Sequence, residues 1–224
     1  MVEILVQDDC SPDVNLAEIL GPPAQVQRNE KNLGFAGNCN AGARRAQGEV
    51  LLFLNQDTLA RPGWFAPLAA AFDDPRVGIV GPKLVFPPEG DGPATIQSCG
   101  GLYGGNKGPF HRYIGWAEDD WRVNIAERMS WTTGAALAIR RELFWQVGGY
   151  DEGYVRGYFE DVDLCEAVKA QGFEIWYCPA AVFEHRAGKS GGVPHQIFMS
   201  NSLRFHGKWD GRITPDTQVI HVNY

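Results

Sequence analysis

Val50 to Leu54 is an unbroken apolar run of strand length that stops at Asn55, Gln56 and Asp57. A short run with no polar alternation suits a strand buried on both faces, as in a sheet covered by helices. Ligands of open α/β sheets gather beyond the carboxyl ends of such strands. Asp57 is therefore expected at the lip of the sheet, its carboxylate toward whatever binds there. An ordinary polar turn after a strand would give the same local pattern, so the rest of the chain has to decide.

Val2 to Val6 reads as a first strand, followed by Asp8, Asp9 and a Ser11-Pro12-Asp13 turn, which is again a strand ending in carboxylates. A short helix over Val14 to Leu20 and a second strand over Ala24 to Arg28 come next. Asn29 to Asn40 is rich in Asn and Gly, a composition that brings backbone close to a ligand, and the helix expected over Ala36 to Ala46 would follow it. A turn with an N-cap accounts for part of the same composition. Arg61-Pro62-Gly63 opens a helix over Trp64 to Phe72, and Val77 to Val80 is a further buried strand. This alternation predicts a mostly parallel, doubly wound α/β sheet.

Phe86 to Trp131 breaks that rhythm with Gly, Pro and aromatic residues in no sustained period. Its length and its Phe, Tyr and Trp content point to an ordered, substrate-facing excursion. Regular structure resumes with Thr133-Gly134, a strand over Ala135 to Ile139, a helix over Arg141 to Val147 and a Gly148-Gly149 turn. A helix opening near Glu160 and ending at Gly172, a strand over Phe173 to Cys178, and a mixed tail with Arg204, Lys208 and Trp209 complete the chain. Residues 1–224 read as one domain: 1–85 the ligand-binding half, 86–190 the second half, 191–224 a tail.

The net charge of −7 argues against a nucleic-acid partner, while a divalent cation could still bridge carboxylates to phosphates. Five cysteines without CxxC spacing suit reduced, buried thiols. With no run near the ~20 apolar residues of a membrane span, a soluble cytosolic protein is the expectation. Peripheral attachment at the inner membrane face and self-association are compatible with it.

Glu160, Asp161 and Asp163 could simply complement a helix dipole. However, Asp161, Leu164, Cys165 and Val168 fall at i, i+3, i+4 and i+7, so Asp161 begins the apolar stripe. An inward carboxylate at a helix start is a candidate base or ligand, with Glu160 and Asp163 to orient it or complete its shell. His185, beside Asp57, would add a nitrogen donor to oxygen donors, a mixture acceptable to Mn2+ or Mg2+.

Leu54-Asn55-Gln56-Asp57 resembles the LNxD form of the DxD motif of glycosyltransferase family 2, whose members have the GT-A fold. Asp8 to Asp13, Asn32 to Asn40, Thr133 to Ala136 with Arg140 to Phe144, Gly148 to Glu152, Phe159 to Leu164 and His185 resemble the same family in the same order. The Asn-rich loop and the LNxD form are most similar to the rhamnosyltransferase-type branch. The resemblance implies an inverting, metal-assisted transferase that uses a nucleotide-diphosphate sugar, dTDP-rhamnose among the options, and a saccharide or glycoconjugate acceptor. It implies donor binding by Asp8 (at the base), Asp9, Asn32, Gly34, Asn40, Asn55 and Gln56. It further implies metal ligation by Asp57 with His185, base catalysis by Asp161 with Glu160, and an acceptor side formed by Thr133, Gly134 and Asp163.

Family members usually carry a strand and helix before the segment matching Val2 to Asp13, so this GT-A fold is N-terminally shortened relative to them. The flanking strands would then pair directly, or a partner chain would supply the strand, or the chain is a fragment. A remnant that binds a sugar nucleotide or glycan without turnover is the alternative function. A nucleotidyltransferase fits less well, because no Gly-rich phosphate loop opens the chain.

Overall fold

The computed structural model describes residues 2–12, 15–88, 90, 92–186 and 193–216; Asp13 and Val14 of the expected turn and helix, and 187–190 after Arg186, lie outside the described residues. The first layer is small. Strands β1 (Ile4–Asp8) and β2 (Ala24–Arg28) pair in parallel around α1 (Leu16–Leu20), and α2 (Gly34–Arg45) packs on β1. A polar contact ties β1 to the chain beyond α2: the Glu3 carboxylate accepts from the amides of Gln47 and Gly48 at 2.7 and 2.9 Å.

The main sheet contains β3 (Val50–Leu54), β4 (Thr58–Ala60), β5 (Val77–Phe86), β6 (Thr95–Ser98), β9 (Glu127–Met129), β10 (Ala136–Arg140) and β11 (Glu174–His185), in the order β3-β10-β5-β11-β4 with β6 on β5 and β9 on β11. Helix α3 (Phe65–Ala70) covers one face; α4 (Arg141–Gln146) and α5 (Glu160–Ala170) cover the other. Alternate residues divide accordingly. Leu137 and Ile139 join the core with Leu143, Phe144 and Val168, while Ala138 and Val80 join the one with Leu68, Phe72 and Phe183. Burial on both faces explains why these strands are apolar throughout.

The sheet departs from the expected mostly parallel one. Within it only β5 and β11 pair in parallel; β3, β4, β6, β9 and β10 each meet their neighbours antiparallel. The turn at Asn55–Asp57, closed by the Thr58 amide on Asn55 O at 3.1 Å, reverses the chain into β4. Apolar runs record that both faces are covered, not which way the strand points. The direct pairing expected between the first strand and Val50–Leu54 is not realised either: β1 pairs with β2 and β3 with β10, in separate sheets.

The aromatic stretch is ordered, with β6, β9 and the hairpin β7 (Gly101–Tyr103) and β8 (Pro109–His111), and much of it is core: Cys99, Leu102, Tyr103, Val123 and Trp131 are buried. β11 is twice the expected length because a bulge between Cys178 and Val182 absorbs Pro179, which has no amide for the ladder. The tail holds an unexpected helix, α6 (His195–Trp209), which buries Asn201, Phe205 and Trp209.

Asn201 fastens the segment before α5. Its amide nitrogen donates to Val155 O, Gly157 O and Tyr158 O at 3.1, 2.8 and 3.2 Å, and its oxygen accepts from the Val155 amide at 3.3 Å. Arg156, Tyr158 and Phe159 there take left-handed φ of 65°, 73° and 75°, a conformation costing roughly 1–2 kcal/mol for each L-residue. Asn201→Ala removes the donor of these part-buried bonds, and unfolding in urea is expected to show a loss of about 1–2 kcal/mol; an unchanged midpoint would refute this role.

Candidate functional site

The carboxyl ends of β3, β5 and β11 and the amino end of β10 share one rim. At the end of β3, Asn55 donates its amide to Ala135 O at 3.0 Å, and Thr58 Oγ1 reaches the same oxygen at 3.5 Å. Antiparallel pairing sets Thr58 against His185, so the two side chains at the turn and the strand end meet: His185 Nε2 lies 3.0 Å from Asp57 Oδ1. The backbone reinforces this approach, with the Arg186 amide on Asp57 O at 3.0 Å. On its other side, His185 Nδ1 lies 2.6 Å from Gln97 Oε1 on β6. Gln97 was not legible in the sequence; a lone glutamine in an aperiodic stretch carries no signal.

One residue before Ala135, the Gly134 amide donates to Asp161 Oδ2 at 2.8 Å, while Asp161 Oδ1 accepts from the Val162 amide at 2.8 Å. The turn 133–135 thus separates the Asp57–His185 pair from the acid that starts α5. Gly134 has to be small: a Cβ there would lie 3.1 Å from the Phe35 ring and 3.4 Å from Asp161 Cβ. Phe35, in the first turn of α2, brings the Asn-rich loop to the same rim.

Burial raises the Asp161 carboxyl above its usual range, against the lowering effect of the amides it accepts. Glu160 beside it is buried, its Oε2 has no partner among the described residues, and burial followed by the Asp161 charge pushes it up to about 8. Burial favours the protonated form of Glu160 near neutrality, and the amides that Asp161 accepts favour its charged form. The Thr133 hydroxyl also donates to Asp161, and the residue is half-buried at the rim.

Other residues expected at the site take different places. Asp8 is buried, and hydrogen bonds from the Ser11 hydroxyl and amide hold its carboxyl below the usual range. Asp9 accepts from the Leu33 and Gly34 amides at 2.7 and 2.9 Å and so caps α2; Asn32 donates to Asp9 O at 3.1 Å. Gln56 is exposed and Asn55 half-buried at the β3 turn, and Thr133 Oγ1 accepts from the Ala135 amide at 3.3 Å. Asn40, expected at the donor, is instead buried and brackets Tyr150, donating to its carbonyl and accepting from its amide, both at 2.9 Å. Asp163, expected at the acceptor, is also occupied internally: Tyr154, Lys208 and Trp209 donate to it at 2.9, 2.8 and 2.7 Å. A buried polar side chain that joins two elements and one that meets a ligand look alike in sequence.

The donor chemistry fits a divalent cation at Asp57 and His185. At 3.0 Å a proton on Nε2 bridges the ring and the Asp57 oxygen, and a divalent cation could take that proton's place, since an oxygen-plus-imidazole set is acceptable to Mn2+. Among the described residues, no group of three or more His, Cys, Asp or Glu side chains could hold a metal, so the protein would offer two donors. Among them too, no helix is long and apolar enough to cross a membrane.

Glu160 makes stability depend on pH. Between the ordinary carboxyl range and about 8 the unfolded chain releases this proton while the folded chain keeps it, so stability falls as pH rises through that window. Glu160→Gln is expected to match the wild type near pH ~4 and to exceed it by a few kcal/mol near pH ~8.5 in urea titrations; parallel pH curves would contradict the assignment.

Residues 1–148 match Glycosyl transferase family 2. The N-acetylglucosaminyl-diphospho-decaprenol L-rhamnosyltransferase of Mycobacterium tuberculosis is 34% identical over 188 residues, 78% of this chain and 59% of the relative. The pre-mycofactocin glycosyltransferase of the same organism is 27% identical over 184 residues, 81% of this chain and 37% of the relative. The chain thus spans less than two thirds of the length of these relatives. A crystal structure of GalNAc-T7 with UDP, GalNAc and Mn2+ superposes with a TM-score of 0.75 at 22% identity, over 93% of this chain and 43% of that one. The mannosyltransferase PcManGT from Pyrobaculum calidifontis, in complex with GDP-Man and Mn2+, gives 0.60 at 20% identity, over 96% and 56%. The fold is α/β and GT-A-like, and the chain belongs to glycosyl transferase family 2.

Proposed function

We propose that this chain carries an inverting glycosyl transfer from a nucleotide-diphosphate sugar to a hydroxyl of a saccharide or glycoconjugate acceptor. The observation that carries the reading is the shared rim: Asp57 with His185 on one side of the turn 133–135, Asp161 on the other, joined through Ala135 and Gly134. Asp57 and His185 would hold a divalent cation, Mn2+ or Mg2+, which when bound supplies positive charge to the departing diphosphate. Its remaining positions would be left to donor oxygens and water.

Asp161 accepts the acceptor hydroxyl proton as that oxygen attacks the anomeric carbon from the face opposite the leaving group, which inverts the centre. Burial favours this step, since a carboxylate with a raised pKa is a stronger base. The Gly134 and Val162 amides fix its direction, and Glu160, protonated beside it, adds no second negative charge. Asp8, Asn32, Gly34, Asn55 and Gln56 would border the donor, and Thr133 and Gly134 the acceptor. The rhamnosyltransferase relative makes dTDP-rhamnose the first donor to try and a lipid-linked saccharide the first acceptor, met at the inner face of the membrane.

A second reading, donor binding without turnover, draws on the separation of the β1–β2 pair from the main sheet and on the use of Asp9 as a helix cap. Calorimetric binding across a donor panel with no product formed would favour it.

The transfer reading is tested by donor turnover with Mn2+ or Mg2+. Asp161→Asn is expected to lower kcat by about 10²–10⁴ with donor affinity kept. Asp57→Ala is expected to weaken the Mn2+-dependent part of donor binding. Wild-type turnover in both variants would sink the role assignment.

A further inference from the structure

Gln97 sits on β6 between Ile96, paired with Val85, and Ser98, paired with Leu84, at the end of β5 that shares the rim with β11. It is 9% exposed and His185 8% exposed, so their contact is made almost out of water. The ring lies between two oxygens, Gln97 Oε1 at 2.6 Å from Nδ1 and Asp57 Oδ1 at 3.0 Å from Nε2.

An amide oxygen accepts and does not donate. A ring with its single proton on Nδ1 gives that proton to Gln97 and turns the Nε2 lone pair toward Asp57. The opposite tautomer sets two lone pairs against each other at 2.6 Å; the first leaves the Nε2 lone pair against the Asp57 carboxylate at 3.0 Å unless a cation, or a second proton, stands there. We propose that Gln97 is a positioning residue of the rim: it fixes His185 as the Nδ1–H tautomer and so reserves Nε2, together with Asp57, for a divalent cation. This rests on the metal-assisted reading above and adds a residue to it. It also gives the aromatic stretch a function at the rim, since β6, through Gln97, brings that stretch to His185. Partners of this kind orient a ligating imidazole through its far nitrogen.

Two variants separate acceptor chemistry from packing. Gln97→Leu removes the acceptor and nearly keeps the volume; Gln97→Glu restores an acceptor. In ¹⁵N-resolved NMR of the imidazole, wild type and Gln97→Glu are expected to carry the proton on Nδ1, and Gln97→Leu to lose that preference. Affinity for Mn2+ alone, followed by water-proton relaxation, is expected to drop about 10–100-fold in Gln97→Leu and to stay within about threefold of wild type in Gln97→Glu.

A wild-type ring with no proton on Nδ1 overturns the proposal. So does Gln97→Leu that is folded by circular dichroism and keeps both the wild-type tautomer and the wild-type affinity. If Gln97→Leu fails to fold, the wild-type tautomer and Gln97→Glu decide alone. Asp57→Ala and His185→Ala run in parallel separate the two levels. Wild-type Mn2+ binding in both removes the cation reading itself, whereas a loss there with none in Gln97→Leu removes only the part assigned to Gln97.

Discussion

β11 has to satisfy partners on both edges at once, and the rim exists because it does. One edge runs along β5 from Glu174 to Glu184; the other meets β9 at Ile175–Tyr177 and β4 at Phe183–His185. The bulge at Pro179 falls between those two contacts on the outer edge. It shifts the register against β5, and the strand's last residue stands opposite Thr58. β5 is served the same way, by β10 and then by β6. Two long parallel strands, each flanked by two short antiparallel ones, bring Gln97, His185 and Asp57 together from three distant parts of the chain.

The acids at the start of α5 are held by a different kind of force. Asp161 is oriented by two backbone amides, one of them from the turn leading into β10, so its position follows the sheet. The approach to it is a run of left-handed residues, unfavourable alone and kept by the single amide group of Asn201. Further into the helix, Asp163 ties α5 to Trp209 and Lys208. Helix α6 therefore acts as a brace for the acid pair, although none of its residues has been assigned to donor or acceptor.

Much of this was legible. The Val50–Leu54 strand and the Ala24–Arg28 strand appear with the expected bounds, and α2 begins two residues earlier than expected, where Asp9 caps it. The inward direction of Asp161 followed from its spacing to Leu164, Cys165 and Val168, all of which are buried. Strand direction was not legible, because an apolar run reports burial on two faces and nothing about pairing. Nor were Asn40, Asp163, Asn201 and Gln97. Their partners lie 110, 46, 46 and 88 residues away, so no local pattern could reveal that a polar side chain was spent inside the protein.

The order in which the ribosome delivers these pieces has a cost. Residues 1–148 match the family, yet the acid helix and β11 come after them, and Asp57 must await a ring 128 positions later. At ~5–20 residues per second that interval lasts from several seconds to about half a minute. For the later part of it, from the synthesis of β5 to that of β11, β5 is apolar on both sides and has its long edge bare. The nascent polypeptide is thus most prone to aggregate just before it completes its own sheet, and a cut at the end of the matched stretch would leave that edge open for good.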